Sequence, residues 1–313
     1  MTPEQVKAVA LGSAVGDALG VPVEFELRSA LERDPVMDMR GFGSFHVPAG
    51  AWSDDTSMSL CMLDSLAGGK YDPDDVMQRF ARWLYGSEYT PIGKTFDVGG
   101  ICGQAIDNFY KRKMPAAACG LSDERSNGNG SLMRIYPLAL FLADRDMPLD
   151  EKLALIHSCS ALTHAHPRSM LGCGIYSFVL WALLERPCRD SVREGLRRAA
   201  EYYAESEFRD ELEAYGRILP ELRPLSRDEV RGSGYVVQTL EAALWCLMDS
   251  DSFGTCLLTA VNLGEDTDTV ASVAGGLAGL LYGLGAIPAG WLKTLLRRDY
   301  IEELCERAFP RGK

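Results

Sequence analysis

Apolar positions in this chain are supplied mainly by leucine and alanine, and nowhere do they alternate with polar ones for more than a few residues. A two-residue period marks a half-buried strand, so its absence predicts helices throughout. The first opens at "TPEQ", with Thr2 at the N-cap, Pro3 at the first helical position and Gln5 completing a capping box. Start and stop signals place further helices at about 53–67, 73–85, 97–110, 130–144, 150–162, 167–186, 191–206, 235–249, 252–263, 268–284 and 289–308. Together they predict an all-α protein.

Two runs raise the question of a membrane. "MLGCGIYSFVLWALL" at 170–184 is too short to span a bilayer, and "TVASVAGGLAGLLYGLGAIPAG" at 269–290 is rich in Gly and Ala and broken by Pro288. Both are expected as core helices. No flexible linker and no repeat interrupts the chain, so residues 1–313 are expected to form a single domain. The stretch 186–233 crowds charges of both signs onto what would be exposed helices. A solvated outer layer is the expectation there, ahead of a lid that docks a partner.

Composition narrows the functional classes. Hydrophobic residues make up 47% of the chain, enough for a large core. The 32 basic against 44 acidic residues leave a formal charge of −12, which repels phosphate backbones and anionic lipid, so neither nucleic acid nor a membrane is an expected partner. Nine cysteines are scattered, odd in number and never spaced CxxC, which suggests neither a disulfide framework nor a zinc knuckle. A reducing cytoplasm fits that usage. The start "MTPEQVKAVALG" lacks the basic stretch and apolar core of a signal peptide.

Candidate chemistry concentrates at two predicted helix starts. "NLGEDTDTVASVAGG" at 262–276 places Glu265, Asp266 and Asp268 with Thr267 and Thr269 immediately before an uncharged helix. Asp and Thr are good caps, since they meet free backbone N–H groups and the positive end of the helix dipole, but one cap does not need three acids. "WSDDTSMSLCMLDSL" at 52–66 repeats the device with Ser53, Asp54, Asp55 and Thr56. Two such starts could converge on a pair of divalent cations, because carboxylates that close need cations to coexist at neutral pH. An all-oxygen donor set selects Mg²⁺ or Mn²⁺ over Zn²⁺.

Weaker signals lie between them. "RSNGNGSLMRIYPLAL" at 125–140 is a polar glycine loop that would run into a helix near Ser131, an arrangement that can cradle a phosphate but is most often only a turn. "HSCSALTHAHPRSM" holds His157, His164 and His166 without a Cys or Glu at zinc-ligand spacing. Hydrogen bonding to a polar ligand or to buried backbone suits them better. Arg134 and Arg168 are each expected to open a helix, where a cation needs an acid or a bound anion nearby.

Taken in order, the segments "GSAVGDALGVPVEF", "WSDDTSMSL", "FDVGG", "SNGNGSLMR", "LTHAHPRS", "GYVVQTLEAALWC" and "NLGEDTDTVAS" resemble those of the ADP-ribosylglycohydrolase family and span residues 12 to about 284. The resemblance implies a compact all-α fold with a binuclear Mg²⁺ or Mn²⁺ centre at the base of a cleft. It implies Ser53, Asp54, Asp55, Asp266, Asp268 and Thr269 as metal ligands, Ser53 standing where many members have Thr. Glu24 matches the family's mobile glutamate near the scissile bond. Asp97 matches an acid facing the departing group, although "FDVGGICG" departs from the more usual "FDxGNTT". The implied reaction is hydrolysis at the anomeric carbon of ADP-ribose, releasing a protein side chain, with arginine the commonest target. Asp54, Asp55 or Glu24 would take the proton of the attacking water. Asn129, Gly130 and Ser131, with His164 and His166 beside them, would hold the pyrophosphate or ribose, and Tyr235 would pack on the adenine. Alternatives are another ADP-ribose conjugate, serine-linked or acetylated, and a relative that binds ADP-ribose without cleaving it.

Overall fold

The computed structural model describes residues 1–310. Among these, β structure is limited to three isolated bridges, and helices carry the fold. In chain order they are α1 (Pro3–Gly20), α2 (Arg28–Leu31), α3 (Asp54–Leu66), α4 (Pro73–Gly86), α5 (Gly100–Tyr110), α6 (Tyr136–Ala143) and α7 (Leu149–Ala161). There follow α8 (Pro167–Glu185), α9 (Arg189–Ala204), α10 (Val236–Asp249), α11 (Phe253–Val261), α12 (Thr267–Tyr282), α13 (Ala289–Thr294) and α14 (Arg298–Ala308). The capping box at Thr2 and Gln5 forms as its sequence predicts.

Three boundaries differ from the sequence reading, each for a local reason. The helix expected from 130 begins at Tyr136, because the amides of Leu132 and Met133 both turn back to the carbonyl of Asn129. The helix expected from 97 begins at Gly100, since Asp97 adopts a left-handed φ of 50°. The helix expected over 289–308 divides into α13 and α14 at Arg297, whose φ is 48°.

The centre of the molecule is the crossing of α1 and α12, whose backbones touch. A Cβ added at Gly12 would lie 2.3 Å from the carbonyl oxygen of Gly275, and one at Gly16 would lie 2.0 Å from that of Ala271. Gly12, Gly16 and Gly20 recur every fourth residue and so share one face of α1. Ser13 and Ser272 close the same seam with a 2.8 Å hydrogen bond. At its end, a Cβ on Gly20 would fall 2.3 Å from the Cα of Asp268. The small-residue face therefore delivers the C-terminal end of α1 to the acidic start of α12.

The α1 segment through Val23 and helix α8 are long and apolar enough to cross a membrane, but 94% and 72% of their most apolar windows are buried inside the fold. Around this core, α9 buries Val192, Leu196 and Tyr203 and turns outward a ladder in which Arg197 and Arg198 pair with Glu194.

Candidate active site

Asp17 stands in the last turn of α1 and is fully buried. Its carboxylate accepts hydrogen bonds from the backbone N–H of Ser53 (2.8 Å), from that of Thr56 (3.0 Å) and from the Thr56 hydroxyl (2.6 Å). It thereby caps α3 from outside and fixes where that helix begins. Burial pushes its pKa up to about 7, against the lowering effect of these donors.

The two acidic helix starts meet. Thr269 Oγ1 on α12 donates to Asp55 Oδ2 on α3 at 3.1 Å, although 214 residues separate them. Ser53 caps α3, and Asp266 stands at the N-cap of α12, where Asn129 Nδ2 donates to its Oδ2 at 2.9 Å. Asp54 Oδ2 accepts a longer contact of 3.4 Å from the Gly99 amide. Glu24 and Asp97 bring carboxylate oxygens to within 4.8 Å of one another and of Asp268.

This concentration of charge is poorly satisfied by the protein itself. Glu24 Oε2, Asp55 Oδ1, Asp266 Oδ1 and Asp268 Oδ2 are buried and accept no hydrogen bond. Burial first, and then neighbouring carboxylates, push the pKa values of Asp54, Asp55 and Asp268 well above the usual range. The same causes, with Asp97 the leading neighbour, take Glu24 to about 11. Orphaned buried oxygens on clustered carboxylates are what a hard divalent cation would satisfy, so these residues fit such a group.

Above the acids opens a cleft of about 330 Å³, lined by Glu24, Asp54, Asp97, Asp266 and Thr269 together with Gly128, Asn129, Gly130 and His164. A larger hollow of about 800 Å³ beside Met1 and Phe309 holds no such cluster; its Asp144 pairs with the N-terminal amine.

The glycine loop is held in place by the Gly128–Tyr235 bridge and by the Asn129 amide, which donates to Gly234 O at 3.0 Å. Gly130 is required there, since a Cβ would meet Cys102 Sγ at 2.7 Å and the His164 ring at 2.9 Å. His164 is buried, which lowers its pKa to about 3 and keeps it neutral. Its neighbours bear on its tautomer. Arg134 can only donate, and its Nη2 gives a 2.7 Å hydrogen bond to Thr163 Oγ1. Thr163 Oγ1 is also 2.8 Å from His164 Nδ1, and the tautomer in which Thr163 donates there carries its ring hydrogen on Nε2, at the edge that approaches Gly128.

The remaining sequence candidates are placed differently. Ser131 is fully buried and pairs with Ser160 Oγ at 2.9 Å, so its side chain does not line the cleft. His166 caps α8 through its Nδ1 and pairs with Glu124 through its Nε2 at 3.1 Å. Tyr235 is half-buried at the N-cap of α10, next to the glycine loop but outside the cleft lining. Arg134 opens no helix and meets neither an acid nor the cleft; it holds the Cys159 carbonyl and Thr163 and packs over the Phe80 ring. Arg168 does open α8, and its charge is met by Glu124 and Glu211. Asp17 is not among the residues singled out from the sequence; its signal is an acid within the otherwise uncharged run from Ala8 to Val23.

Comparison with known proteins agrees with this geometry. A model of the ADP-ribosylglycohydrolase family matches residues 2–313. The chain belongs to the ADP-ribosylglycohydrolase family. Among similar proteins, the ADP-ribosylarginine hydrolase Tri1 of Pseudomonas putida is 34% identical over all of this chain and 81% of its own length. The ADP-ribosyl-[dinitrogen reductase] glycohydrolase of Rhodospirillum rubrum is 31% identical over 91% of this chain and 88% of its own. A solved structure described as an ADP-ribosylglycohydrolase-related protein complex superposes with a TM-score of 0.81 at 31% identity, covering 98% of this chain and 97% of that one. The family assignment makes the acidic cleft the candidate active site of a glycohydrolase.

Proposed function

We propose that this protein hydrolyses the bond between the anomeric carbon of ADP-ribose and a modified protein side chain, with arginine the preferred leaving group. The names of its relatives support the substrate class, since two are an ADP-ribosylarginine hydrolase and an ADP-ribosyl-[dinitrogen reductase] glycohydrolase. One observation carries the metal dependence: four buried carboxylate oxygens from three separate segments that line or adjoin one cleft accept no hydrogen bond from the protein.

In this reading Ser53, Asp54, Asp55, Asp266, Asp268 and Thr269 hold a pair of divalent cations, Mg²⁺ or Mn²⁺. Such ions supply charge neutralisation, anchoring of ribose hydroxyls and a lowered pKa for water. The bond breaks through an oxocarbenium-like state, which the surrounding carboxylates stabilise by charge. One of Glu24, Asp54 and Asp55 accepts the proton of the attacking water. Acids this close titrate as a set, and the reading assigns the proton to the set. Asp97, whose carboxylate lies beside those of Glu24 and Asp268, faces the leaving nitrogen. His164 Nε2–H and the amides around Asn129 and Gly130 hold the pyrophosphate or ribose, and Tyr235 borders the adenine. Ser131 and His166 support the loops behind these groups. The free state of all nine cysteines suits a reducing compartment such as the cytoplasm.

A panel of arginine-, serine- and acetyl-linked ADP-ribose conjugates, assayed before and after chelation, tests the reading. Fastest release from the arginine conjugate, lost on chelation and restored by Mg²⁺ or Mn²⁺, is the expected result. Undiminished turnover after full chelation would remove the metal from the mechanism. Preference for the serine or acetyl conjugate would reassign the leaving group, which the apolar "GGIC" segment at the cleft wall makes the specific alternative.

A further inference from the structure

Phe25 is 69% exposed although it immediately follows the buried Glu24 and lines the same cleft. Its φ of 67° is left-handed, a conformation that a bulky L-residue adopts only when its surroundings enforce it. A reciprocal clasp does so. The Phe25 amide donates to the carbonyl of Glu265 at 2.7 Å, and the Glu265 amide donates to the carbonyl of Glu26 at 2.8 Å. Glu265, the residue just before Asp266, is itself left-handed at 67°. Ser44 Oγ adds a bond to the Glu24 carbonyl at 2.6 Å. The turn thus sends the carboxylate of Glu24 inward and the ring of Phe25 outward, and no core packing rewards the exposed ring.

The ring is nevertheless supported. Phe45 lies 6.1 Å from it, centroid to centroid, and Phe96 lies 5.2 Å from Phe45. Phe45 and Phe96 pack on the small apolar cluster of Val21, Val47 and Ala51. Phe96 directly precedes Asp97, so an aromatic shelf with one open face adjoins two carboxylates at the mouth of the cleft. A flat aromatic face beside carboxylates is a receptor for a planar cation, which stacks on the ring and donates hydrogen bonds to the acids.

We propose that the exposed face of Phe25 is a stacking surface for the guanidinium of the departing arginine and so determines leaving-group specificity. The inference rests on the function proposed above and adds to it the group that recognises the side chain. An adenine could also stack on a phenyl ring, but it is neutral and lacks the charge that a guanidinium brings to Glu24 and Asp97.

The test compares Phe25→Leu, which keeps bulk and loses the π face, with Phe25→Trp, which keeps the face. For each metal-loaded variant, kcat/KM on an arginine-linked conjugate is measured alongside the inhibition constant of free ADP-ribose. Phe25→Leu is expected to lower the arginine kcat/KM by about 2- to 30-fold, the range of a cation–π contact, while ADP-ribose inhibition stays within about twofold. Phe25→Trp should retain wild-type preference. An unchanged arginine kcat/KM, or a parallel weakening of ADP-ribose, would overturn the proposal, the second pointing to adenine stacking. Should the wild-type protein release no arginine, the proposed function fails by itself. Calorimetric affinities for the then stable ADP-ribosyl-arginine and for ADP-ribose would still read Phe25 through the same ratio.

Discussion

Asp268 shows most sharply what the site costs the fold. Its Oδ2 is buried without a donor, and burial with the charges of Glu24, Asp97 and Asp55 raises its pKa well above that of an unfolded aspartate. Without metal, this group favours the folded state only while protonated, so its contribution falls as pH rises above about 4. Asp268→Asn removes that penalty. In chelator at pH 7 the variant should melt a few degrees above the wild type, at about 2–4 °C per kcal/mol for a chain of this class. It should also lose the rise in Tm that Mg²⁺ gives the wild type and, on the proposed chemistry, at least about 10²-fold in turnover. A second expectation concerns His164. Thr163→Val leaves Nδ1 without its hydroxyl partner, and ADP-ribose affinity should weaken by about 3- to 10-fold, the worth of one hydrogen bond. Thr163→Ser should restore it. Titration calorimetry reads both variants.

The helices convert small residues into site geometry. Gly16→Ala would drive a methyl group into the Ala271 carbonyl, forcing α1 and α12 apart at a cost of about 1–3 kcal/mol or more, measurable by urea unfolding. Gly20→Ala presses on the backbone of Asp268 itself. Its activity at temperatures well below melting should fall further than that of Gly16→Ala. Much of this was legible in the chain. The apolar pattern gave nearly every helix, Thr2 and Gln5 gave the first cap, and the acids at 53–56 and 265–268 stood at the helix starts that do converge. What the sequence withheld depends on contacts between distant segments. Asp17 is read only through its bonds to Ser53 and Thr56, and Phe25 only through its clasp with Glu265. From the sequence Arg134 is expected to meet an acid or a bound anion, because a cation at the start of a predicted helix needs a partner. Folding supplies that partner as a carbonyl and a hydroxyl, and the helix starts later. Ser131 and His166 share short segments with cleft residues but point into the packing behind them.

Across the molecule, two sets of buried groups pull stability in opposite directions with pH. Glu24, Asp54, Asp55, Asp97 and Asp268, with Asp17 at about 7, have folded pKa values raised first by burial, so metal-free stability declines as pH rises from about 4. His157, remote from the cleft and bonded to the Tyr203 hydroxyl at 2.8 Å, is lowered by burial to about 4. A depressed folded pKa means that its contribution is complete above the unfolded value of about 6.5 and is lost as pH falls towards 4, at most about 3 kcal/mol. His157→Gln keeps a polar partner for Tyr203 and cannot titrate. Its Tm should therefore fall less than that of the wild type between pH 6.5 and 4.5, by scanning calorimetry. Binding of a divalent cation should offset the carboxylate penalty and leave the histidine term untouched. The proposed chemistry depends on acids from α3 and α12 sharing cations, and anomalous diffraction from crystals equilibrated with Mn²⁺ would show where the ions lie. The account predicts peaks within coordination distance of oxygens from both the 53–55 and the 266–269 segments. Peaks confined to one segment, or absent from the cleft at saturating Mn²⁺, would contradict it.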